Sequence, residues 1–198
     1  MKIVYYRTLL KKAKNITPDE RILYSFLVSK SITEYHEVFD KDGCTVNQDA
    51  LSELLNQKSR IEVRKINNTQ IAKELGITRR SVINATHSLI EKRFISLDCY
   101  GEKCVFISKE LFEQGYFELI KKEKLKGELL IFYSYLIDKS KRYCYCKKKE
   151  CDYCLDTHRY KLAEEFGTTE DAIKKHLQRL YRLGLAERLE NGKLKINQ

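Results

Sequence analysis

The stretch that decides the fold is residues 68–82, which read NTQIAKELGITRRSV. Apolar side chains recur at helical spacing and form a seam that we expect to be buried: Ile71, Leu75, Ile77, Val82 and Leu89. Ala72 is small enough for a second helix to cross over it. Gly76 suits a left-handed turn, and Thr78 can cap the helix that follows. The stretch therefore predicts two short helices, about residues 69–75 and 79–92, joined by a tight turn.

The chain contains two related copies of this pattern. Residues 22–31 (ILYSFLVSKS) return as residues 131–140 (IFYSYLIDKS), and residues 71–78 (IAKELGIT) align without gaps with residues 162–169 (LAEEFGTT). The first copy carries an insertion near residues 32–60, of which 49–58 predict a short extra helix. We expect two domains, residues 1–109 and 110–198, the second with a cysteine-rich insertion at 143–157.

Each copy has the same expected order of elements. Thr17 and Glu20 flank Pro18 as in a capping box, which predicts an amphipathic helix through about Ser31. Residues 61–66 alternate like a strand. Hairpins are predicted from residues 95–97 with 104–107, and from residues 188–190 with 193–195. The second pair flanks Asn191–Gly192, the dipeptide most typical of a two-residue turn. The predicted fold class is mainly α with small β-hairpins, α+β.

This pattern resembles the winged helix-turn-helix family of bacterial DNA-binding proteins, and each trailing hairpin is similar to that family's wing. With residues 5–10 and the helix at Thr17, the arrangement is also similar to the tandem winged helices of plasmid and phage replication initiators. The resemblance covers the chain apart from residues 32–60 and 143–157. It implies two tandem winged helix-turn-helix domains that bind double-stranded DNA, as a transcriptional regulator or as the replication initiator of a mobile element.

In that family the second helix of the motif lies in the major groove. Carried over to this chain, the positions that would contact bases are Thr78, Arg79, Arg80, Asn84 and His87. Arginine can bridge O6 and N7 of guanine, and asparagine can bridge N6 and N7 of adenine. The alternative is that both arginines are ordinary solvated charges. The helix dipole disfavours cations at a helix start, so a consecutive pair there needs another reason.

The corresponding helix of the second copy opens with Glu170 and Asp171, which suit a helix N-terminus and repel phosphate. Candidate backbone contacts follow along the helix and on the second hairpin: Lys174, Lys175, Gln178, Arg179, Lys193 and Lys195. His176 is expected to face the packed seam. The second copy is therefore a weaker DNA contact or a protein-interaction surface.

Four cysteines form a C-x-C-x4-C-x2-C cluster: Cys144, Cys146, Cys151 and Cys154. Four thiolates can complete a tetrahedral zinc shell, and His158 could replace one of them. The alternative is a metal-free hairpin whose two strands carry reduced cysteines in alternation. Structural zinc is the one cofactor that the sequence suggests.

Composition narrows the class of protein. The formal net charge of +10 is compatible with a polyanionic partner. It is equally compatible with a basic soluble protein that binds no polyanion. No stretch approaches the roughly 20 apolar residues of a membrane helix, and no export signal is evident, so we expect a cytoplasmic, nucleoid-associated protein with reduced cysteines.

Catalysis is not expected. The four histidines are scattered, and no nucleotide-binding loop or metalloprotease motif occurs. The expected partner is double-stranded DNA rather than a membrane, with a second copy of the chain or a replication or transcription protein as further candidates. The alternative function is a winged-helix scaffold for protein interactions that has only non-specific affinity for DNA.

Overall fold

The chain folds into two units of mixed α and β structure. The computed structural model describes residues 3–11, 15–32, 60–63, 66–107, 109–112, 114–146 and 153–197, together with Asp49 and Glu53. Within these residues there are seven helices and small antiparallel sheets, as the predicted α+β class requires. The first unit comprises Met1–Leu9 and Ala13–Tyr116, and the second comprises Leu10–Lys12 and Phe117–Gln198. The sequence had suggested a division between residues 109 and 110.

The two units share one order of elements. After β1 (Ile3–Tyr6) and the short α1 (Thr8–Lys11), the first unit runs α2 (Pro18–Ile32), β2 (Arg60–Val63), α3 (Asn68–Leu75), α4 (Arg79–Glu91), β3 (Ile95–Leu97) and β4 (Lys103–Phe106). A 3-10 turn at Lys109–Leu111 and β5 (Tyr116–Leu119) follow. The second unit then runs α5 (Gly127–Cys146), β6 (Cys154–Leu155), α6 (Arg159–Phe166), α7 (Glu170–Arg182), β7 (Ala186–Arg188) and β8 (Leu194–Ile196). The sheets have the matching antiparallel orders β2-β4-β3 and β6-β8-β7.

The internal repeat extends to individual hydrogen bonds. The hydroxyl of Tyr24 on α2 donates to the carbonyl of Phe106 at the end of β4, at 2.5 Å. The hydroxyl of Tyr133, at the equivalent position of α5, donates to the carbonyl of Asn197 just after β8, at 2.7 Å. Each tyrosine ties the central helix of its unit to the last strand of the same unit. The two copies therefore share this link between the central helix and the sheet.

Further pairs of side chains repeat in the same way. Ser25 Oγ accepts from the backbone N–H of Tyr6 at 3.3 Å, and Ser134 Oγ accepts from that of Ile120 at 2.8 Å. Two ion pairs also occupy equivalent positions: Lys30 with Glu74 at 3.5 Å and Lys139 with Glu165 at 2.5 Å. Each ion pair joins the central helix of a unit to the first helix of its helix-turn-helix.

The central helices are buried on all sides, which corrects the expectation of an amphipathic helix after Thr17. Residues 20–28 of α2 and residues 129–137 of α5 are buried without interruption. A helix with no solvated face belongs to the interior of its domain. The start of α2 is the predicted capping box: Thr17 N–H donates to Glu20 Oε2 at 2.9 Å, and Glu20 N–H donates to Thr17 Oγ1 at 3.3 Å.

The hairpin turn of the second unit differs from the predicted two-residue Asn191–Gly192 turn. Gly192 N–H donates to the carbonyl of Leu189, and Leu189 N–H donates to that of Lys193, both at 2.9 Å. Gly192 has φ 78° and lies after the turn, in the left-handed position that closes a three-residue loop. The strands therefore run over Ala186–Arg188 and Leu194–Ile196 instead of the predicted residues 188–190 and 193–195. The first hairpin closes in the same way, with Gly101 at φ 78°.

Candidate nucleic-acid interface

The helix-turn-helix of the first unit is held by one cap at each helix start and a glycine between the helices. Gln70 N–H donates to Asn67 Oδ1 at 2.9 Å, and Ser81 N–H donates to Thr78 Oγ1 at 3.0 Å. Gly76 has φ 70°, and its N–H donates to the carbonyl of Ala72 at 2.9 Å. The predicted seam is buried, apart from the half-buried Ile77. Both helices lie within one residue of their predicted bounds. Because the seam residues are buried, the inner face of α4 packs against the unit and its outer face is exposed to solvent.

All five predicted base-contacting residues are exposed: Thr78, Arg79, Arg80, Asn84 and His87. Arg80, Asn84 and His87 are spaced four and then three residues apart, so they share one face of α4. Thr78 precedes that face, and its hydroxyl serves as the cap of the helix. The structure thus brings three of the predicted side chains, Arg80, Asn84 and His87, together along the outer side of α4.

The start of α4 carries two positive charges that no described side chain neutralises. Within the described residues, neither Arg79 nor Arg80 has an ion pair or a side-chain hydrogen bond, and the first turn of α4 has no acidic residue. Cations at a helix N-terminus oppose the macrodipole and destabilise the helix by a few tenths of a kcal/mol or more. An external anion at this point would reverse that effect.

A cleft of about 480 Å³ lies between the start of α3, Arg79 and the turn of the β3–β4 hairpin. Asn67, Gly101 and Glu102 are among the residues that line it, together with Lys103. The Lys103 side chain is buried, and burial lowers its pKa against the opposing effect of the Glu102 carboxylate. The hairpin therefore presents little free positive charge to a partner.

Instead, the first hairpin exposes large apolar side chains. Tyr100 at the turn is 88% exposed, and Leu97 and Phe106 on the strands are 48% and 37% exposed. From the sequence we considered only the charged residues of this hairpin and did not predict its exposed apolar surface. The signal was present, since Leu97 and Tyr100 stand close to the turn glycine, where core residues are rarely found.

On the second unit, the predicted backbone-contacting residues of α7 are all exposed: Lys174, Lys175, Gln178 and Arg179. Glu170 and Asp171 occupy the first turn, where Thr169 caps the helix through Ala172 N–H at 3.3 Å. On the hairpin, Lys193 is half-buried. Lys195 pairs with Glu187 on the neighbouring strand at 2.9 Å, so its charge is partly neutralised within the sheet.

His176 faces the interior of the second unit, as predicted. Its ring centroid lies 5.4 Å from that of Phe132 on α5. Burial lowers the pKa of His176; Arg179 lowers it further, and Glu128 acts in the opposite direction. His176 is therefore a packing residue, separate from the exposed cations on the same helix.

Sequence reasoning missed a second exposed cluster, at the start of α6. The rings of His158 and Tyr160 are stacked at 5.6 Å with an interplanar angle of 15°, and Lys161 Nζ lies 6.0 Å from the Tyr160 ring centroid. These residues and Arg159 are exposed. The alignment of the repeat contained the signal, because residues 158–161 (HRYK) replace the neutral residues 67–70 (NNTQ) of the first copy.

Comparison with protein-family models, curated proteins and solved structures found no match to this chain. The helices of the described ranges include none that is long and apolar enough to span a membrane.

The predicted zinc site falls mostly outside the described residues. The structure describes neither Cys151 nor the side chains of Cys144 and Cys146. The backbone of Cys144 and Cys146 belongs to the end of α5, so the alternative that placed them on a hairpin strand is wrong. Cys154 is a buried cysteine on β6 that forms no disulfide with a described residue, and no cluster of three or more potential metal ligands occurs among the described side chains. Zinc binding stays a prediction.

Proposed function

We propose that the chain is a sequence-specific double-stranded DNA-binding protein built from two tandem winged helix-turn-helix modules. The order of helix, strand, two helices and hairpin in each unit supports this proposal, as does the strand order that places the last strand in the middle of each sheet. In such a module the second helix of the pair enters the major groove and the hairpin forms the wing. In the first module that helix is α4.

The observation that carries the proposal is the pair of unpartnered arginines at the start of α4. Arg79 and Arg80 weaken the helix that they begin, and no described residue compensates for them. DNA phosphates and guanine edges are the anionic and acceptor groups that would do so. Asn84 and His87 extend the same exposed face along the next turns of the helix.

The dimensions of α4 suit this role. Its 13 residues span about 20 Å, and an α-helix fits the major groove, which is about 12 Å wide. Arg80 can bridge a guanine, and Asn84, one turn later, can bridge an adenine. Base readout by α4 therefore needs no change in the backbone of the first unit.

The second module has the charge pattern of a backbone clamp. Glu170 and Asp171 disfavour close approach of the α7 N-terminus to phosphate, whereas Lys174, Lys175 and Arg179 further along the helix attract it. We assign base readout to the first module and phosphate contacts to the second. One chain with two modules can cover two adjacent half-sites, as dimers do with one module each. This suits either a transcriptional regulator or a replication initiator of a mobile element, and neither role requires a catalytic residue.

The proposal is tested by replacing both arginines, Arg79→Ala with Arg80→Ala, in the full chain and titrating a selected duplex. Each lost base contact is expected to weaken specific binding by about 1–3 kcal/mol and to relax the sequence preference at the contacted position. The matched control is Lys121→Ala with Lys124→Ala, which removes the same charge from exposed positions ahead of α5. Unchanged affinity and preference in the arginine variant would rule out α4 as the base-contacting helix.

One observation favours a second candidate, a protein-interaction scaffold. The exposed Leu97, Tyr100 and Phe106 make the first hairpin more apolar than a phosphate-contacting wing needs to be. This candidate predicts micromolar, sequence-independent binding to any duplex, lost in modest salt. The titration above distinguishes it from the main proposal.

A further inference from the structure

The start of α6 carries a flat aromatic surface beside a cleft. His158 and Tyr160 stack nearly parallel, and 54% of Tyr160 remains exposed beyond this contact. Lys161 Nζ lies 6.0 Å from the centroid of the Tyr160 ring. Tyr160 therefore presents a half-exposed aromatic ring beside two exposed cations, Arg159 and Lys161.

The adjoining cleft of about 200 Å³ lies wholly within the second unit, between the start of α6, α7 and the β7–β8 hairpin. Tyr160, Tyr181, Arg159, Arg188 and Glu170 are among its lining residues. It therefore combines aromatic faces, two guanidinium groups and one carboxylate. The Oγ1 of Thr157, also in the lining, is buried without a hydrogen-bond partner among the described residues.

The first unit shows that these residues are not needed for folding. Asn67 caps α3 through its side chain, whereas His158 at the equivalent position makes no side-chain cap. The helix forms in both cases, with neutral residues 67–70 in one copy and residues 158–161 in the other. The charge at the start of the following helix is reversed as well, from Arg79 in the first unit to Glu170 in the second.

We propose that this cleft binds an unpaired nucleotide of single-stranded DNA, with the base stacked on Tyr160 and the flanking phosphates held by Arg159 and Arg188. Aromatic faces beside cations are the recurring surface for single-stranded nucleic acid. A paired base offers no free face to a surface ring. Glu170 can accept a hydrogen bond from an N–H group on the edge of a splayed-out base, a group that is already engaged in a paired base.

This site acts independently of duplex binding by α4. Where both operate, the chain contacts a duplex through α4 and the exposed cations of α7, while the cleft at the start of α6 holds an unpaired strand. That combination, which rests on the proposed function, favours a role in opening DNA at an origin over promoter regulation.

The test measures anisotropy of a fluorescein-labelled oligothymidylate of about 12 nucleotides, within the range of single-strand site sizes, with the full chain. Tyr160→Ala is expected to weaken binding by about 5- to 140-fold, the range for loss of one base stack. Tyr160→Phe keeps the ring and should bind like the wild type. Tyr100→Ala is the matched control, because it removes an exposed tyrosine from the first unit.

A second measurement does not depend on any variant. A strand carrying 2-aminopurine should lose fluorescence on binding to the wild-type chain, because stacking on an aromatic ring quenches this base. Equal binding by Tyr160→Ala and wild type, or no quenching, would overturn the proposal. The proposal would also be overturned if free thymidine monophosphate, at the same nucleotide concentration, displaced the strand. The Arg79→Ala, Arg80→Ala variant should retain single-strand binding, so the two proposals fail separately.

Discussion

The two buried tyrosine hydroxyls give the sharpest prediction about how the units are held together. Tyr24→Phe and Tyr133→Phe each remove one oxygen and leave the ring in place. For Tyr24 the edge contact with Phe94, at a centroid distance of 5.2 Å, is retained. The change therefore isolates the hydrogen bonds to the carbonyls of Phe106 and Asn197.

The expected cost follows from burial. Tyr24 and Tyr133 are 4% and 0% exposed, whereas the carbonyls that they bond belong to the exposed Phe106 and the half-buried Asn197, where water can replace part of the lost bond. Loss of such a hydrogen bond costs about 0.5–1.5 kcal/mol. For domains of this size each kcal/mol lowers the melting temperature by about 4–8 °C. Because the two bonds are equivalent, we expect similar losses for the two variants, each confined to its own unit.

Hydrogen exchange of the backbone amides reports on the units separately. Tyr24→Phe should lower the protection of α2 and β4, and Tyr133→Phe should lower that of α5 and β8. Tyr100→Phe, whose ring is 88% exposed, is the control and should leave protection unchanged. A loss below about 0.5 kcal/mol in both buried variants would refute the assignment of these bonds as links between the central helix and the sheet.

Three other predictions concern acidic pH and metal. Burial alone would raise the pKa of Glu20, but hydrogen bonds from Lys92, Ser88 and the Thr17 backbone outweigh it and the pKa is lowered. The stability that ionised Glu20 contributes is thus present above pH 4.5 and is lost as the pH falls through the pKa of Glu20 in the folded state. Glu20→Gln should remove this part of the pH dependence of stability in acid. An unchanged acid unfolding curve would contradict this expectation. The lowered pKa of His176 means that the neutral ring stabilises the fold above pH 6.5 and that this stability is lost as pH falls through the folded-state value. His176→Gln should flatten the plot of unfolding free energy against pH below pH 6.5. His87→Gln, a substitution at an exposed position, is the control and should leave the plot unchanged. Metal analysis of protein purified without chelator should find about one zinc per chain if the four cysteines bind it; less than about a tenth would refute the site.

The sequence was most informative where local interactions decide the structure. The bounds of α3 and α4 were predicted to within a residue, because the cap at Thr78, the turn at Gly76 and the apolar spacing all act over a few residues. The repeat likewise required only self-comparison. The shared order of elements in the two units then follows from the related sequences.

Other features depend on contacts that a sequence does not display. The full burial of α2 reflects elements packed around it rather than its own periodicity. The turn at Gly192 was misassigned because Asn-Gly occurs in more than one loop length. The lack of acidic partners for Arg79 and Arg80 among the described residues, and the stacking of His158 on Tyr160, depend on where the folded backbone places each side chain.

The central claim, sequence-specific binding to duplex DNA through α4, is tested most directly by selection from a random duplex pool with the full chain at physiological salt. We expect enrichment of a defined site, and we expect Arg79→Ala with Arg80→Ala to lose the preference at one or more guanines within that site. A pool that stays random after repeated selection, with binding that modest salt abolishes, would contradict the claim.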